Sequence, residues 1–98
     1  MPTFELLPRF ASDLGRLTPA DRSRFDDAVA LLVADLRTGV HALRPSLRVK
    51  RVRASAGVWE MTWANNGRAT FAYGEEVIAG APHVIWRRIG THAILAAP

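Results

Sequence analysis

The side chains best suited to chemistry lie in one stretch, residues 47–72, which reads LRVKRVRASAGVWEMTWANNGRATFA. Folded as a hairpin, its alternation places the Glu60 carboxylate, the hydroxyls of Thr62 and Thr70, and the Arg68 guanidinium on one face. A guanidinium among hydroxyls is suited to binding a phosphate group. The alternative interpretation is an ion pair between Arg68 and Glu60 with no ligand.

The three histidines differ in their predicted settings. His92 follows the last predicted strand, His83 begins that strand, and His41 lies in a connector. Imidazole transfers protons near neutral pH, which makes His92 a candidate acid or base, although a single exposed His is more often a plain surface residue. Three His without an acidic cluster at ligand spacing predict no metal site.

The turn of this hairpin is predicted at Asn65-Asn66-Gly67, and two registers compete. A two-residue loop mixes Arg68 with the apolar side chains. A three-residue loop, with Gly67 at positive φ, separates the faces. The three-residue loop pairs Trp63 with Ala69 and is therefore favoured. It gathers on one core face the side chains of Trp59, Met61, Trp63, Ala69, Phe71 and Tyr73.

The elements before the hairpin must cover that apolar face. Residues 3–7 predict a short edge strand, and Pro8 suits the start of a short helix with Phe10, Leu14 and Leu17 on one side. A second helix is predicted from the Thr18 N-cap to the Gly39 C′ position. After the hairpin, residues 74–82 predict a loop and residues 83–89 a last strand. The predicted fold is α+β: one domain, residues 1–98, with a strand and two-helix hairpin on one face of a mainly antiparallel four- to five-stranded sheet.

Two segments of the chain are less regular. Residues 47–53 predict a strand that leaves the core near Arg51 or contains a bulge, because its basic and apolar residues share a face. Pro45 blocks any helix just before it. The sequence holds no repeat and no apolar run of about 18 residues, so we expect no membrane association. The lack of cysteine excludes disulfides and fits the cytoplasm.

The charge is distributed unevenly along the chain. Residues 1–43 carry five Arg and six acids, whereas residues 44–98 carry eight Lys or Arg and three acids. A basic sheet predicts a polyanionic partner such as nucleic acid, the alternative being a solvated surface without a partner. We expect one positive surface that includes Lys50, Arg51, Arg53, Arg68, Arg87 and Arg88.

The segments LRVKRVRASAGVWEMTW, GRATFAYG and HVIWRRIGTH resemble, in that order, the C-terminal half of RelE/ParE-superfamily toxins of bacterial toxin–antitoxin pairs. The resemblance covers residues 47–95, and the helices match by pattern. It implies a cytoplasmic toxin with a cognate antitoxin, an endoribonuclease that cleaves messenger RNA in the ribosome without metal or small-molecule cofactor.

The resemblance also implies roles for particular residues. Arg68 matches the phosphate-binding Arg of the family, and His92 falls where members carry a basic or imidazole group. Glu60 lies near a position that some members use as a base. RNA-binding roles are implied for Lys50, Arg51, Arg53, Arg87 and Arg88.

Two departures from the family pattern leave other functions open. The sequence has no Tyr after the final strand, and its only Lys is Lys50. The alternatives are a non-nuclease inhibitor of DNA gyrase, as in the ParE branch, and a non-catalytic basic module that binds RNA or protein.

Overall fold

The computed structural model describes residues 1–98, which form two helices packed on one five-stranded sheet. The helices are α1 (Pro8–Leu14) and α2 (Pro19–Leu36). The strands are β1 (Thr3–Leu6), β2 (Lys50–Arg51), β3 (Trp59–Thr62), β4 (Gly67–Gly74) and β5 (His83–Thr91). Short 3-10 helices cover Pro45–Leu47 and His92–Ala96.

The sheet has the order β1-β5-β4-β3-β2, and only the β1–β5 pair is parallel. The chain reaches β5 last, yet β5 lies between β1 and β4. The N-terminal strand is therefore at the edge, as its sequence predicts. This arrangement confirms the predicted α+β fold with a mainly antiparallel sheet.

The helices begin and end where local chemistry requires. Pro8 and Pro19 occupy first-turn positions, where a backbone N–H would have no partner within the helix, so proline loses no hydrogen bond there. The Thr18 hydroxyl accepts a hydrogen bond from the Asp21 N–H at 3.1 Å, which caps α2. After α2, Gly39 has φ +122° and donates its N–H to the Leu36 carbonyl.

The core lies between the helices and the apolar face of the sheet. From α1 and α2 it takes Phe10, Phe25, Ala28, Leu32 and Leu36; from the sheet it takes Met61, Ala69, Phe71, Val84, Trp86 and Ile89. Trp86 is its aromatic centre, since Phe10, Phe25 and Phe71 all lie within 5.6 Å of it between ring centroids. Trp63 and Val29 pack against this cluster, which confirms the predicted shared core.

The β3–β4 hairpin keeps the predicted faces but has a different register. Trp59 pairs with Phe71 and Thr62 with Arg68, so the strands are shifted by two residues from the predicted pairing. Because side chains alternate with a period of two, such a shift preserves both faces. Burial therefore selects the face and does not distinguish these two registers.

The predicted strand over residues 47–53 is mostly replaced by other structure. Leu47 ends a 3-10 helix, and Arg48 adopts the left-handed conformation with φ 49°, so β2 contains only two residues. The chain leaves the sheet after Arg51, as the poor alternation predicts. No helix of the chain combines the length and apolar character needed to cross a membrane.

Candidate active site at the β3–β4 turn

The β3–β4 turn, residues 64–67, is held by two backbone hydrogen bonds. Gly67 N–H donates to the Ala64 carbonyl at 3.0 Å, and Trp63 N–H donates to the Gly67 carbonyl at 3.2 Å. The turn contains no residue with positive φ, contrary to the expectation for Gly67. Its glycine has another purpose, since a Cβ there would lie 2.6 Å from two carbons of the Trp63 indole.

Arg68 is anchored to this turn by its guanidinium. Its Nη1 donates to the carbonyls of Gly67, Asn65 and Ala64 at 2.9, 3.3 and 3.4 Å. Those contacts use one nitrogen, so Nε and Nη2 retain donors for an external anion. The half-buried Arg68 is thus positioned without an acidic partner.

His92 is anchored to the same turn by its backbone. The His92 N–H donates to the Asn66 carbonyl at 2.9 Å, while Gly67 pairs with Thr91 in the β4–β5 ladder. The Thr91 hydroxyl then accepts from the Ala93 N–H and begins the last 3-10 helix. The His92 side chain is exposed, so its imidazole is accessible for proton transfer.

A first cleft of about 810 Å³ lies between the turn, the end of β5 and the α1–α2 junction. Its polar lining includes three arginines, two carboxylates and three neutral side chains: Arg16, Arg24, Arg88, Asp13, Asp21, Asn65, Asn66 and Thr91. Trp63 forms part of its wall. The α1–α2 junction, α2 and β5 therefore each place one arginine at this opening, and Thr91, the residue before His92, belongs to its lining.

A second cleft, of about 580 Å³, adjoins the first one. Trp63, Arg24 and the Ala64 and Asn65 part of the turn line both clefts. The second cleft adds the basic side chains of Arg48 and Arg68. Together the two clefts can accommodate an anionic chain that passes over the turn.

Arg88 is not free to bind such a chain. Its Nε and Nη2 donate to the Asp13 carboxylate at 2.6 and 3.3 Å, and the Ile89 N–H donates to the same carboxylate at 3.2 Å. Burial alone would raise the pKa of Asp13, but the hydrogen bonds from Arg88 and Ile89, aided by the charges of Arg88 and Arg16, lower it. Arg88 therefore fixes α1 to β5 and so holds one wall of the first cleft.

Glu60 lies away from the turn and is buried on the face of the sheet opposite the core. Its carboxylate is 3.9 Å from the Lys50 ammonium, and no hydrogen bond or ion pair joins it to Arg68. The Glu60–Arg68 ion pair that the sequence left open as the alternative interpretation is therefore absent, and Glu60 does not orient Arg68.

The basic residues do not form the single positive surface that the sequence suggested. Lys50 lies on the Glu60 side of β2, whereas the Arg51 guanidinium lies 5.4 Å from the Trp59 ring centroid on the opposite side. The Arg87 Nε donates to the Pro98 carbonyl at 3.1 Å, and Arg53 is exposed beyond the end of β2. Side-chain alternation along β2 places Lys50 and Arg51 on opposite sides of the sheet, and the hydrogen bond to Pro98 holds Arg87 elsewhere.

Other residues of the site were missed by sequence reasoning. Arg16 and Arg24 belong to the half of the chain whose summed charge is slightly negative, and the sequence pattern indicates Asn65 and Asn66 only as turn formers. A sum over sequence ignores which face each charge occupies. The sequence indicates a place for Arg24 near the core only through its position on α2, one residue before the core residue Phe25.

His83 is a buried histidine far from the turn. Its Nδ1 lies 2.7 Å from the Thr3 hydroxyl and its Nε2 lies 2.7 Å from the Glu5 carboxylate. These contacts join β1 to β5 at the edge of the sheet, which gives His83 a structural role. No three His, Cys, Asp or Glu side chains are grouped so as to hold a metal ion.

Solved structures of bacterial toxins share this fold. The chain superposes on the Escherichia coli DinJ–YafQ complex with a TM-score of 0.67, 15% identity, and coverage of 97% of this chain and 98% of that one. A copper-bound mutant toxin from Helicobacter pylori superposes with a TM-score of 0.62 and 14% identity, covering 95% of this chain and 97% of that one. The RelBE2 toxin–antitoxin complex from Mycobacterium tuberculosis superposes with a TM-score of 0.54 and 20% identity, covering 91% of this chain and 95% of that one.

No protein-family model matches the sequence, and no curated protein matches it. The structural likeness is therefore the informative comparison, and at these identities it establishes the fold. The fold seen in these toxin structures is the one that the sequence resemblance predicted.

Proposed function

We propose that this protein is the toxin of a toxin–antitoxin pair and a metal-independent endoribonuclease that cleaves messenger RNA on the ribosome, in the cytoplasm. The observation that carries this proposal is the joint anchoring of Arg68 and His92 to one turn, beside two clefts lined with arginines. The fold shared with solved toxin–antitoxin complexes supports the biological role.

The proposed reaction uses the RNA's own 2′-hydroxyl as the nucleophile. The 2′-oxygen forms a bond to the adjacent phosphorus, the bond from phosphorus to the 5′-oxygen breaks, and a 2′,3′-cyclic phosphate results. The hydroxyl proton leaves to solvent, and the departing 5′-oxygen gains a proton from an acid. The phosphorane formed on the way carries extra negative charge, which a preorganised cation stabilises.

Arg68 and His92 fit these two requirements. Arg68 has its Nη1 fixed by three carbonyls, so its remaining N–H groups are directed without reorganisation during the reaction. His92 presents an exposed imidazole, which in its protonated form donates a proton to the 5′-oxygen. Arg16 binds a flanking phosphate at the cleft rim, whereas the Arg24 Nη1 donates to the Asp21 carboxylate at 2.8 Å. The exposed Arg51 and Arg53 bind RNA further away.

Glu60 is placed outside the reacting set in this proposal. A base has to reach the proton it removes, within about 3.2 Å or through one water. Glu60 is 6% exposed, faces Lys50 and lines neither cleft, although it shares a face of the sheet with Arg68. We assign it to holding β2 against β3, and a Glu60→Gln variant serves to test any role as a base.

The proposed antitoxin partner is a protein with an acidic segment that covers the arginine-lined clefts. Such a segment competes with RNA for the same cations, which explains neutralisation without a separate mechanism. The DinJ–YafQ and RelBE2 structures are toxin–antitoxin complexes, which supports a partner of this kind.

The biological role is tested by inducing the gene in bacteria and following growth together with incorporation of labelled amino acid and thymidine. We expect growth arrest with an early loss of amino-acid incorporation, relieved by Arg68→Ala and by His92→Ala. His41→Ala, a change of an exposed histidine in a connector, is the matched control and should arrest growth like the parent. Early loss of thymidine incorporation instead would replace the ribonuclease proposal with gyrase inhibition.

A further inference from the structure

His92 begins a short element that needs support from the rest of the protein. Residues His92–Ala96 form a 3-10 helix of five residues directly after β5. Hydrogen-bond geometry in a 3-10 helix is poorer than in an α-helix, and isolated helices of this length are unstable in water. Because His92 is the first residue of this helix, the orientation of its imidazole depends on how firmly the helix is held.

The start of the 3-10 helix is attached to the β3–β4 turn, and its centre is attached to β5. The His92 N–H donates to the Asn66 carbonyl at 2.9 Å. Ile94 is buried next to Gly90, where a Cβ would lie 3.0 Å from the Ile94 Cγ2. These contacts leave the end of the helix to be attached by other residues.

Two neighbouring arginines of β5 attach that end. The Arg87 Nε donates to the Pro98 carbonyl at 3.1 Å, and the Arg88 Nη1 donates to the Ala97 carbonyl at 3.0 Å. Thr70, which is fully buried on β4, donates its hydroxyl to the same Pro98 carbonyl at 3.4 Å. The chain therefore closes back onto the sheet immediately after the 3-10 helix.

A β-bulge accompanies this attachment. Thr70 of β4 pairs with Arg88, and Phe71 pairs with Trp86, so Arg87 is an extra residue of β5 without a partner on β4. Neighbouring side chains of a regular strand lie on opposite faces, whereas a bulge changes the direction of the extra side chain. Bulges of this kind are frequent next to active sites. The bulge therefore gives Arg87 a direction that a regular strand would not, and its bond to residue 98 uses that direction.

We propose that Arg87 is a positioning residue, which holds the 3-10 helix so that His92 keeps a fixed orientation relative to the β3–β4 turn. The inference rests on the proposed ribonuclease function, and it replaces the RNA contact that the family resemblance implies for Arg87. Arg88 makes a second bond to the segment, but it also binds Asp13. The hydrogen bond of Arg87 serves this segment alone, which makes Arg87 the residue to change.

The test compares two uncharged variants, Arg87→Gln and Arg87→Met. Nε of arginine and the amide nitrogen of glutamine are both bonded directly to Cδ, so glutamine retains a donor for the Pro98 carbonyl. Methionine has a similar length and no donor. Both variants lose the positive charge, so a residue that contacts RNA through its charge would be impaired equally by either change.

Cleavage of a translated messenger RNA on ribosomes provides the first readout. We expect Arg87→Gln to cut at close to the parent's rate. Arg87→Met should lower kcat on the order of ten- to a hundredfold and leave KM unchanged, because a small misplacement of a reacting group has effects of this size. Loss of an RNA contact would raise KM instead. Thermal unfolding verifies that both variants are folded.

NMR spectra of the protein alone provide the second readout, which needs no cleavage. The heteronuclear ¹H–¹⁵N NOE reports fast backbone motion, and in the parent and in Arg87→Gln we expect residues 93–97 to be as rigid as β5. In Arg87→Met the NOE values of residues 93–97 should fall, and the ring resonances of His92 should shift. The ring resonances of His41, in the connector before β2, should stay in place in both variants.

Three outcomes overturn the inference. They are an Arg87→Met protein that cuts like the parent, an Arg87→Gln protein that is as slow as Arg87→Met, and parent-like NOE values in Arg87→Met. If the parent itself cuts no RNA, the proposed function fails. The NOE comparison then decides separately whether Arg87 holds the segment that carries His92.

Discussion

At the scale of single residues, the site depends on close packing at the turn. The sequence predicted Gly67 for its freedom at positive φ, but the backbone there does not need it. What requires glycine is the Trp63 ring, which occupies the space of any side chain. The need for glycine comes from the contact with Trp63, four positions earlier in the chain, and rules for turn residues do not predict such a contact.

Replacing Gly67 by Ala should therefore disturb both the fold and the site. A Cβ at 2.6 Å from indole carbons forces the ring to move, and overpacking of this kind destabilises by about 1–3 kcal/mol. Urea unfolding measures that loss, and a displaced Trp63 indole resonance reports the movement. Gly15→Ala is the control: it has φ −64° and ordinary contacts, so it should be neutral or slightly stabilising. Equal stability of Gly67→Ala and the parent would contradict this account.

At the scale of elements, one ion pair connects the helices to the strand that leads to His92. Asp13 near the end of α1 binds both Arg88 and the Ile89 N–H of β5, and both side chains of the pair are largely buried. The two residues are separated by 75 positions in sequence. No periodicity or local motif predicts such a pairing, and the sequence accordingly suggested that Arg88 was free to bind RNA.

This ion pair predicts a specific response to acid. The folded state lowers the pKa of Asp13, so its contribution to stability is present above the unfolded value of about 3.9 and is lost as the pH falls through the folded value. We expect Asp13→Asn to lower the free energy of unfolding at pH 7 and to reduce its decline below about pH 4. Urea unfolding at a series of pH values measures both effects. Asp26→Asn, at an exposed carboxylate, is the control; if it matched Asp13→Asn in both respects, the ion pair would have no special role.

Elements that depend on local patterns were the ones predicted well. The Thr18 cap, the two prolines and the apolar spacing defined both helices, and alternation defined the faces of β3 and β4. The 3-10 helix at Pro45–Leu47 and the left-handed Arg48 were missed, because they depend on how the connector reaches the sheet. The hairpin register was wrong by two residues because both registers bury the same side chains.

At the scale of the whole molecule, the two halves of the chain combine to make the site. Arg16 and Arg24 come from the helical half, and Arg68 and His92 come from the sheet half, whose net charge is the more positive. The sequence identified the two proposed reacting residues through a family resemblance. It could not show the clefts, because these arise only where the α1–α2 junction meets the β3–β4 turn.

The most direct test of the central claim is the cleavage rate of a translated messenger RNA on ribosomes, measured by primer extension with EDTA-treated protein. We expect the parent protein to cut, and Arg68→Ala and His92→Ala each to lower the rate on the order of a hundredfold or more. Glu60→Gln, His41→Ala and Arg22→Ala, the last at an exposed α2 arginine that lines neither cleft, should cut at close to the parent's rate. Folded Arg68→Ala and His92→Ala proteins that both cut as fast as the parent would contradict the central claim.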